Sequence, residues 1–295
     1  MSDFRIDQIT NQAGTAGPDI AGITTFSGSS GLLMPRGDTF RRSVPENYNI
    51  VLKDIVMYLD AGNIDSYPGS GTIWLPLTGK IDRLNLLNGV GYDSSDGGGS
   101  LTFDGSNDKV ESLQNFSFGN TQQRTYDIWY KSTLGTYQVL IALTANSNDY
   151  KWQTITILEN GSINYMFGDN SFYNERGQLD VGVNAFGSYI PGLTSSTGEW
   201  QNICMTINVN ETHPNRIKLY VDGINYSDKI NNYNNSGNAI YDGSMYLQFG
   251  AANFGQGNNS DGALNGSISN ILLYNRALSA AEVSQNYNAL KGRYT

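Results

Sequence analysis

One cysteine and one histidine stand in a chain of 295 residues. With Cys204 alone no intrachain disulfide can form, so the fold must rest on its core and its hydrogen bonds. Cysteine pairs for zinc are excluded by the same count. Cys204 shares a strand pattern with Ile203, Met205 and Ile207, which reads as a packed thiol rather than a nucleophile. His213 precedes Pro214 in a polar turn with no Ser or Cys at informative spacing, so a catalytic triad has no support. Charge is sparse: charged residues make up 15% of the chain, and 18 Lys and Arg face 27 Asp and Glu, a net charge of −9. Nucleic-acid affinity comes chiefly from basic side chains on phosphates, so this balance excludes a nucleic-acid partner and disfavours anionic membranes. No apolar run is long enough to span a bilayer, and Met1 to Ile6 lack the apolar centre of a signal peptide. The expectation is a soluble chain made in a cytoplasm, with no membrane insertion. Heptads and collagen-like repeats are missing too, so nothing here enforces three chains.

Glycine and tyrosine are plentiful, at 34 and 19. That composition describes a turn-rich β protein long enough for a real core. Short strands recur at 126–131, 138–143, 152–158, 163–167 and 200–209, and Asn49 to Asp60 read as a further apolar strand. Ile217, Leu219 and Val221 alternate with polar neighbours, and Asp222-Gly223 supplies the positive-φ pair of a tight hairpin before Ile224 and Tyr226. Ile271 to Tyr274 are an unbroken apolar run, the pattern of a central strand covered on both faces. Ser279 and Glu282 form a capping box, Val283, Tyr287 and Leu290 share one helical face, and Gly292 ends the helix. Gly97 to Gly99 read as a flexible joint, residues 168–199 as strands joined by extended loops, and Lys229 to Gly243 as a loop of Asn and Tyr. Residues 1–45 are small, polar and nearly unpatterned, too poor in apolar surface to fold alone, and Val44-Pro45 closes them. The organisation expected is an extended N-terminal arm, 1–45, ahead of a domain at 46–295.

The run Leu219-Tyr-Val-Asp-Gly223, followed by Gly266-x-Ile-x-x-Ile-x-x-Tyr-Asn-Arg-Ala-Leu-Ser-x-x-Glu-Val283, resembles the carboxy-terminal signature of laminin-G-like, concanavalin A-like domains. Leu101 to Asp108, Tyr126 to Lys131 and Gly198 to Ile203 fit the same family in order. The resemblance implies an all-β jelly-roll β-sandwich of two antiparallel sheets, here with the arm in front and a short C-terminal helix behind. Separately, Gln8 to Ile23, Ser30-Gly-Leu and Pro35-x-Gly-Asp-Thr39 resemble amino-terminal segments of tailed-phage virion proteins, especially those infecting cyanobacteria. Different distal domains follow similar arms in those proteins. The implied protein is a fibre, baseplate or head-decoration component located in the virion, joined to other virion proteins through residues 1–45. A homo-oligomer, with a trimer favoured, follows from the same likeness. A carbohydrate-binding adhesion module without a virion role is the alternative reading, and a glycoside hydrolase a third.

Hydrolysis of a glycoside needs two carboxylates facing the scissile bond, about 5 to 9 Å apart. The Glu-x-Asp-x-x-Glu run of glucanases is missing, Glu159 precedes a hairpin glycine, and Glu175 and Glu199 fall in loops, so no enzyme is expected. For glycans, aromatic faces stack on sugars while amides bond hydroxyls. Tyr173, Asn174, Tyr189, Tyr233, Asn234 and Asn235 are the candidates. For a metal, the family likeness implies calcium at the sandwich rim, held by Asp104, Asn107, Asp108 and Asp261. Asp104-Gly105 and Asp261-Gly262 read equally as plain turns that need no metal.

Overall fold

The computed structural model describes residues 40–41, 49–79, 81, 83–119, 121–133, 136–145, 152–159, 161–168, 175–179, 198–212, 215–235, 243–252 and 262–294. In chain order the strands are β1 Phe40–Arg41, β2 Ile55–Asp60, β3 Ile73–Trp74, β4 Thr78–Gly79, β5 Leu84–Leu87, β6 Gly91–Asp93, β7 Ser100–Asp104, β8 Lys109–Ser112, β9 Gln123–Ser132, β10 Gln138–Thr144, β11 Trp152–Ile157, β12 Ile163–Gly168, β13 Glu175–Leu179, β14 Gln201–Asn208, β15 Ile217–Val221, β16 Ile224–Asn225, β17 Ile230–Asn235, β18 Tyr246–Phe249 and β19 Asn265–Tyr274. One helix, α1 Ala280–Leu290, follows them. The strands form two antiparallel sheets. Ten strands run β1-β4-β2-β19-β9-β14-β15-β16 with β6 and β7 attached through β19, and nine run β17-β13-β12-β11-β10-β18-β8-β5-β3.

Alternation along the strands builds the space between the sheets. Ile128, Tyr130, Ile203, Met205, Ile268 and Ile271 from the larger sheet meet Val110, Ile141, Leu143, Ile155, Tyr165, Leu247 and Phe249 from the smaller. The run at Ile271 to Tyr274 forms the central strand its pattern demands: β19 pairs β2 on one side and β9 on the other. Ile271 and Leu273 enter the inner core, while Leu272 and Tyr274 point the other way, into a second core beneath α1. Asp222 and Gly223 adopt φ of 50° and 75°, so the β15–β16 hairpin turns as expected.

The second core holds α1 to the outward side of the ten-stranded sheet. Tyr58, Trp129, Cys204, Tyr220, Leu278, Val283 and Leu290 pack there. The Trp129 ring is stacked with Tyr294 at 4.0 Å and with Tyr287 at 5.6 Å. A polar network lies under the same helix. Asp127, 1% exposed, accepts hydrogen bonds from Asn202 Nδ2 at 2.7 Å and Asn286 Nδ2 at 3.1 Å. Asn286 Oδ1 accepts from the Val51 amide at 2.8 Å, and Tyr274 donates to the Val51 carbonyl. Burial pushes the Asp127 carboxyl up to about 6, and the two amide donors only partly offset that cost. Cys204 lies in the same layer, its thiol raised by burial and by Asp127.

The helix starts as read: Ser279 and Glu282 complete the capping box. Arg276 clamps Glu282 with bonds of 2.7 and 2.8 Å, which hold its carboxyl down at about 2. Gly292 does not terminate the helix with a left-handed residue. The chain tightens into a 3-10 turn at Lys291–Arg293, and Arg293 Nη1 reaches the buried Asp60 at 2.9 Å.

Three other expectations are corrected. Gly97 to Gly99 are no flexible joint, for all three have positive φ (60°, 67° and 113°) in a packed turn. A Cβ on Gly99 would sit 2.5 Å from Gly62 Cα, so only glycine fits. The stretch from Lys229 is not all loop: a 3-10 turn at Ser227–Lys229 leads into β17, which pairs β13 as the edge of the nine-stranded sheet. The Asn49 to Asp60 strand begins only at Ile55, because Asp54 turns the chain with φ 61°. Phe40–Arg41, within the arm as read from sequence, pair with Thr78–Gly79.

Candidate functional site

Because strand side chains alternate, inward residues of the nine-stranded sheet are followed by ones facing away from the core, except at the β10 bulge, where Leu140 and Ile141 both face inward. The register sets one such residue from each of six strands in a single row: Thr154, Ala142, Gln248, Glu111, Asn85 and Ile73. A parallel row carries Tyr246, Thr144 and Trp152. On the other side Val139, Thr156 and Asn164 line up. Amides, hydroxyls and two half-buried aromatics on one rigid sheet are the groups that recognise a polyhydroxylated ligand.

At the centre of this face Ala142, Thr154 and Gln248 are nearly inaccessible, at 0%, 1% and 3% exposure. Glu111, Asn85, Trp152, Tyr246 and Asn164 around them are half-buried. Glu111 is the hub. It accepts from Gln248 Nε2 at 2.7 Å and pairs with Lys109 Nζ at 2.6 Å, so one carboxylate is held between an amide and an ammonium. Among the described residues of these outward rows it is the one carboxylate. Glu175 pairs in backbone register with Phe167 and Asn235. Thr154 Oγ1 is buried without a hydrogen-bond partner among the described residues, a polar atom left over on the same face.

Of the glycan candidates, Tyr233, Asn234 and Asn235 lie on β17, where Asn234 pairs in register with Arg176 and Asn235 with Glu175. Tyr173, Asn174 and Tyr189 lie outside the described residues, as does Asp261. Asp104, Asn107 and Asp108 come together in the turn between β7 and β8. There Asp104 Oδ1 accepts from the Ser106 amide at 2.8 Å, and Asp108 Oδ2 accepts from the Asp104 amide at 3.0 Å. The Asn107 carbonyl accepts from Asn88 Nδ2. Asp108, 3% exposed, has its carboxyl raised chiefly by burial, and its Oδ1 has no hydrogen-bond partner among the described residues. Calcium takes six to eight oxygens. Asp104 Oδ1 and Asp108 Oδ2 are already spent on backbone amides, the bonding of a plain turn.

Sequence reasoning missed Glu111, Lys109 and Gln248. The one signal for them was alternation: Val110 is inward and its neighbours are not, and Gln248 sits between Leu247 and Phe249.

A sequence profile described as the concanavalin A-like lectin/glucanases superfamily matches residues 103–284, more than half of the chain. Comparison with curated protein sequences returns no match. Among solved structures, the receptor binding domain of botulinum neurotoxin C/D mosaic serotype aligns with a TM-score of 0.53 at 13% identity, covering 81% of this chain and 52% of its own. The botulinum neurotoxin serotype D ligand binding domain in complex with N-acetylneuraminic acid aligns at 0.53 and 13%, with 80% and 50% covered. The binding domain of botulinum neurotoxin DC in complex with SialylT aligns at 0.54 and 13%, with 81% and 52% covered. The chain thus spans about half the length of these structures, and at such identities they establish the fold alone. The jelly-roll sandwich and the profile agree: this chain belongs to the concanavalin A-like lectin/glucanases superfamily.

Proposed function

We propose that the protein is a non-catalytic, lectin-like module that binds glycans on the outward face of its nine-stranded sheet. The observation that carries this reading is the row from Thr154 to Ile73, with the half-buried Glu111 held between Lys109 and Gln248. Two of the similar structures are complexes with N-acetylneuraminic acid and with SialylT, which fits a sandwich put to glycan recognition. Glycoside hydrolysis calls for two carboxylates, and Glu111 is alone on the described face and already committed to two partners. Tyr173, Asn174, Tyr189, Tyr233, Asn234 and Asn235 remain further candidates for contact with the glycan.

The finer proposal is a tailed-phage virion component, made in the host cytoplasm and incorporated through residues 1–45 as a homotrimer. It rests on the arm's likeness to phage virion proteins. A glycan array tests the binding reading: wild type should label a restricted set of host-surface glycans, and Glu111→Ala should lose about tenfold or more in affinity, the range of a hydrogen bond to a charged group. An array blank for wild type refutes it. Deleting residues 1–39, ahead of β1, should leave a folded domain that no longer enters particles. Normal incorporation would leave an adhesion module without a virion role.

A further inference from the structure

A second polar recess lies on the opposite side of the molecule, away from the face just described. Thr125, Thr206 and Lys218 form a row across β9, β14 and β15 on the outward side of the ten-stranded sheet. Beside it opens a cleft of about 330 Å³ lined by Thr206, Asn208, Glu211, Asn215, Lys218 and Ala277. Both walls are held in place. On one, Thr125 Oγ1 donates to the Arg276 carbonyl at 2.8 Å and accepts from the Leu278 amide at 3.0 Å, while Arg276 is fixed by Glu282. On the other, the Asn208 amide bonds the Arg216 carbonyl at 2.8 Å and turns close at Asn208–Glu211 and Thr212–Asn215. The recess is therefore formed before any ligand arrives, which lowers the entropic cost of binding.

Its chemistry is a hydroxyl, two amides, one carboxylate and one ammonium around a small apolar patch. The two charges cancel, so the lining selects neither an anion nor a cation. It suits a compact neutral molecule with hydroxyls along its edge and an apolar face for Ala277. The volume is at the lower end for small-ligand pockets, room for one or two sugar units. We infer that this cleft is a second saccharide subsite that takes a single uncharged hexose, separate from the nine-stranded sheet. The choice of ligand class rests on the lectin reading above; the cleft itself does not.

Nuclear magnetic resonance titration with methyl glucoside, methyl mannoside and methyl galactoside tests it on the full chain. At least one should produce saturable shifts at the Thr206, Asn208 and Asn215 amides. Asn215→Ala, an exposed position in a turn, should weaken those shifts about fivefold, in line with one lost hydrogen bond. Glu111→Gln should leave them unchanged. No saturable shift at these amides with any of the three sugars would overturn the inference, and so would equal binding by Asn215→Ala. Shifts confined to Gln248 and Asn85 would also overturn it while leaving the proposed function standing. Shifts at the cleft with none at the sheet face would support the cleft and count against the proposed face.

Discussion

The two outward faces of the sandwich are treated in opposite ways. On the ten-stranded sheet α1 closes over Trp129, Cys204, Tyr220 and Leu272, and even the polar groups there, Asp127, Asn202 and Asn286, are sealed in with partners. On the nine-stranded sheet the outward rows are amides, hydroxyls and Glu111, with no helix packed on them among the described residues. A side chain under the helix answers to stability. One on the opposite face answers to whatever lands there. The comparison predicts that substitutions under the helix cost folding free energy and that those at the half-buried Glu111 and Asn85 chiefly cost ligand affinity.

The largest effect should come where the helical tail meets the glycine turn. Gly99→Ala places a Cβ 2.5 Å from Gly62 Cα at φ 113°, and should destabilise by more than about 3 kcal/mol in urea unfolding. Next is Asn286→Ala, which strands the buried Val51 amide and one oxygen of Asp127. Two buried unpaired groups cost about 2 to 5 kcal/mol. A shift of less than about 1 kcal/mol would mean the helix is not latched through this network.

The third prediction concerns pH. Asp127 titrates at about 6 in the folded protein against 3.8 ordinarily, so the native state holds its proton more tightly than the unfolded chain. Its contribution favours folding below pH 4 and is lost as pH rises through 6, a change of about 3 kcal/mol. Glu282, held at about 2 by Arg276, works in the opposite sense, losing stability as pH falls below its ordinary range. Asp127→Asn should remove the slope between pH 4 and 6 when unfolding free energies are compared with wild type. An unchanged slope would show that the carboxyl is not sealed as described. The smallest effect on folding belongs to the half-buried Glu111: Glu111→Gln should move the melting temperature by no more than about 1 °C and still lower glycan affinity.

How much of this was legible in the sequence follows from the same contrast. β19 was readable because both its faces are buried, so Ile271 to Tyr274 carry no polar interruption. The capping box was readable because its partners are three residues apart. Asn286 was not, since its partners Val51 and Asp127 are distant in the chain and an Asn on a helix normally signals solvent. Gly97 to Gly99 read as a joint because sequence shows glycine's freedom but not the Gly62 backbone that takes it away. β17 read as loop because Asn is a poor strand former, and pairing with β13 overrides that preference. The row through Glu111 and Gln248 depends on five strand registers, which no local pattern specifies.

The most direct test of the central claim is a crystal structure of the protein with the glycan that scores highest on the array. The sugar should lie against Glu111 and Asn85 on the outward face of the nine-stranded sheet, with α1 unmoved. A complex in which no sugar touches that face would contradict the account.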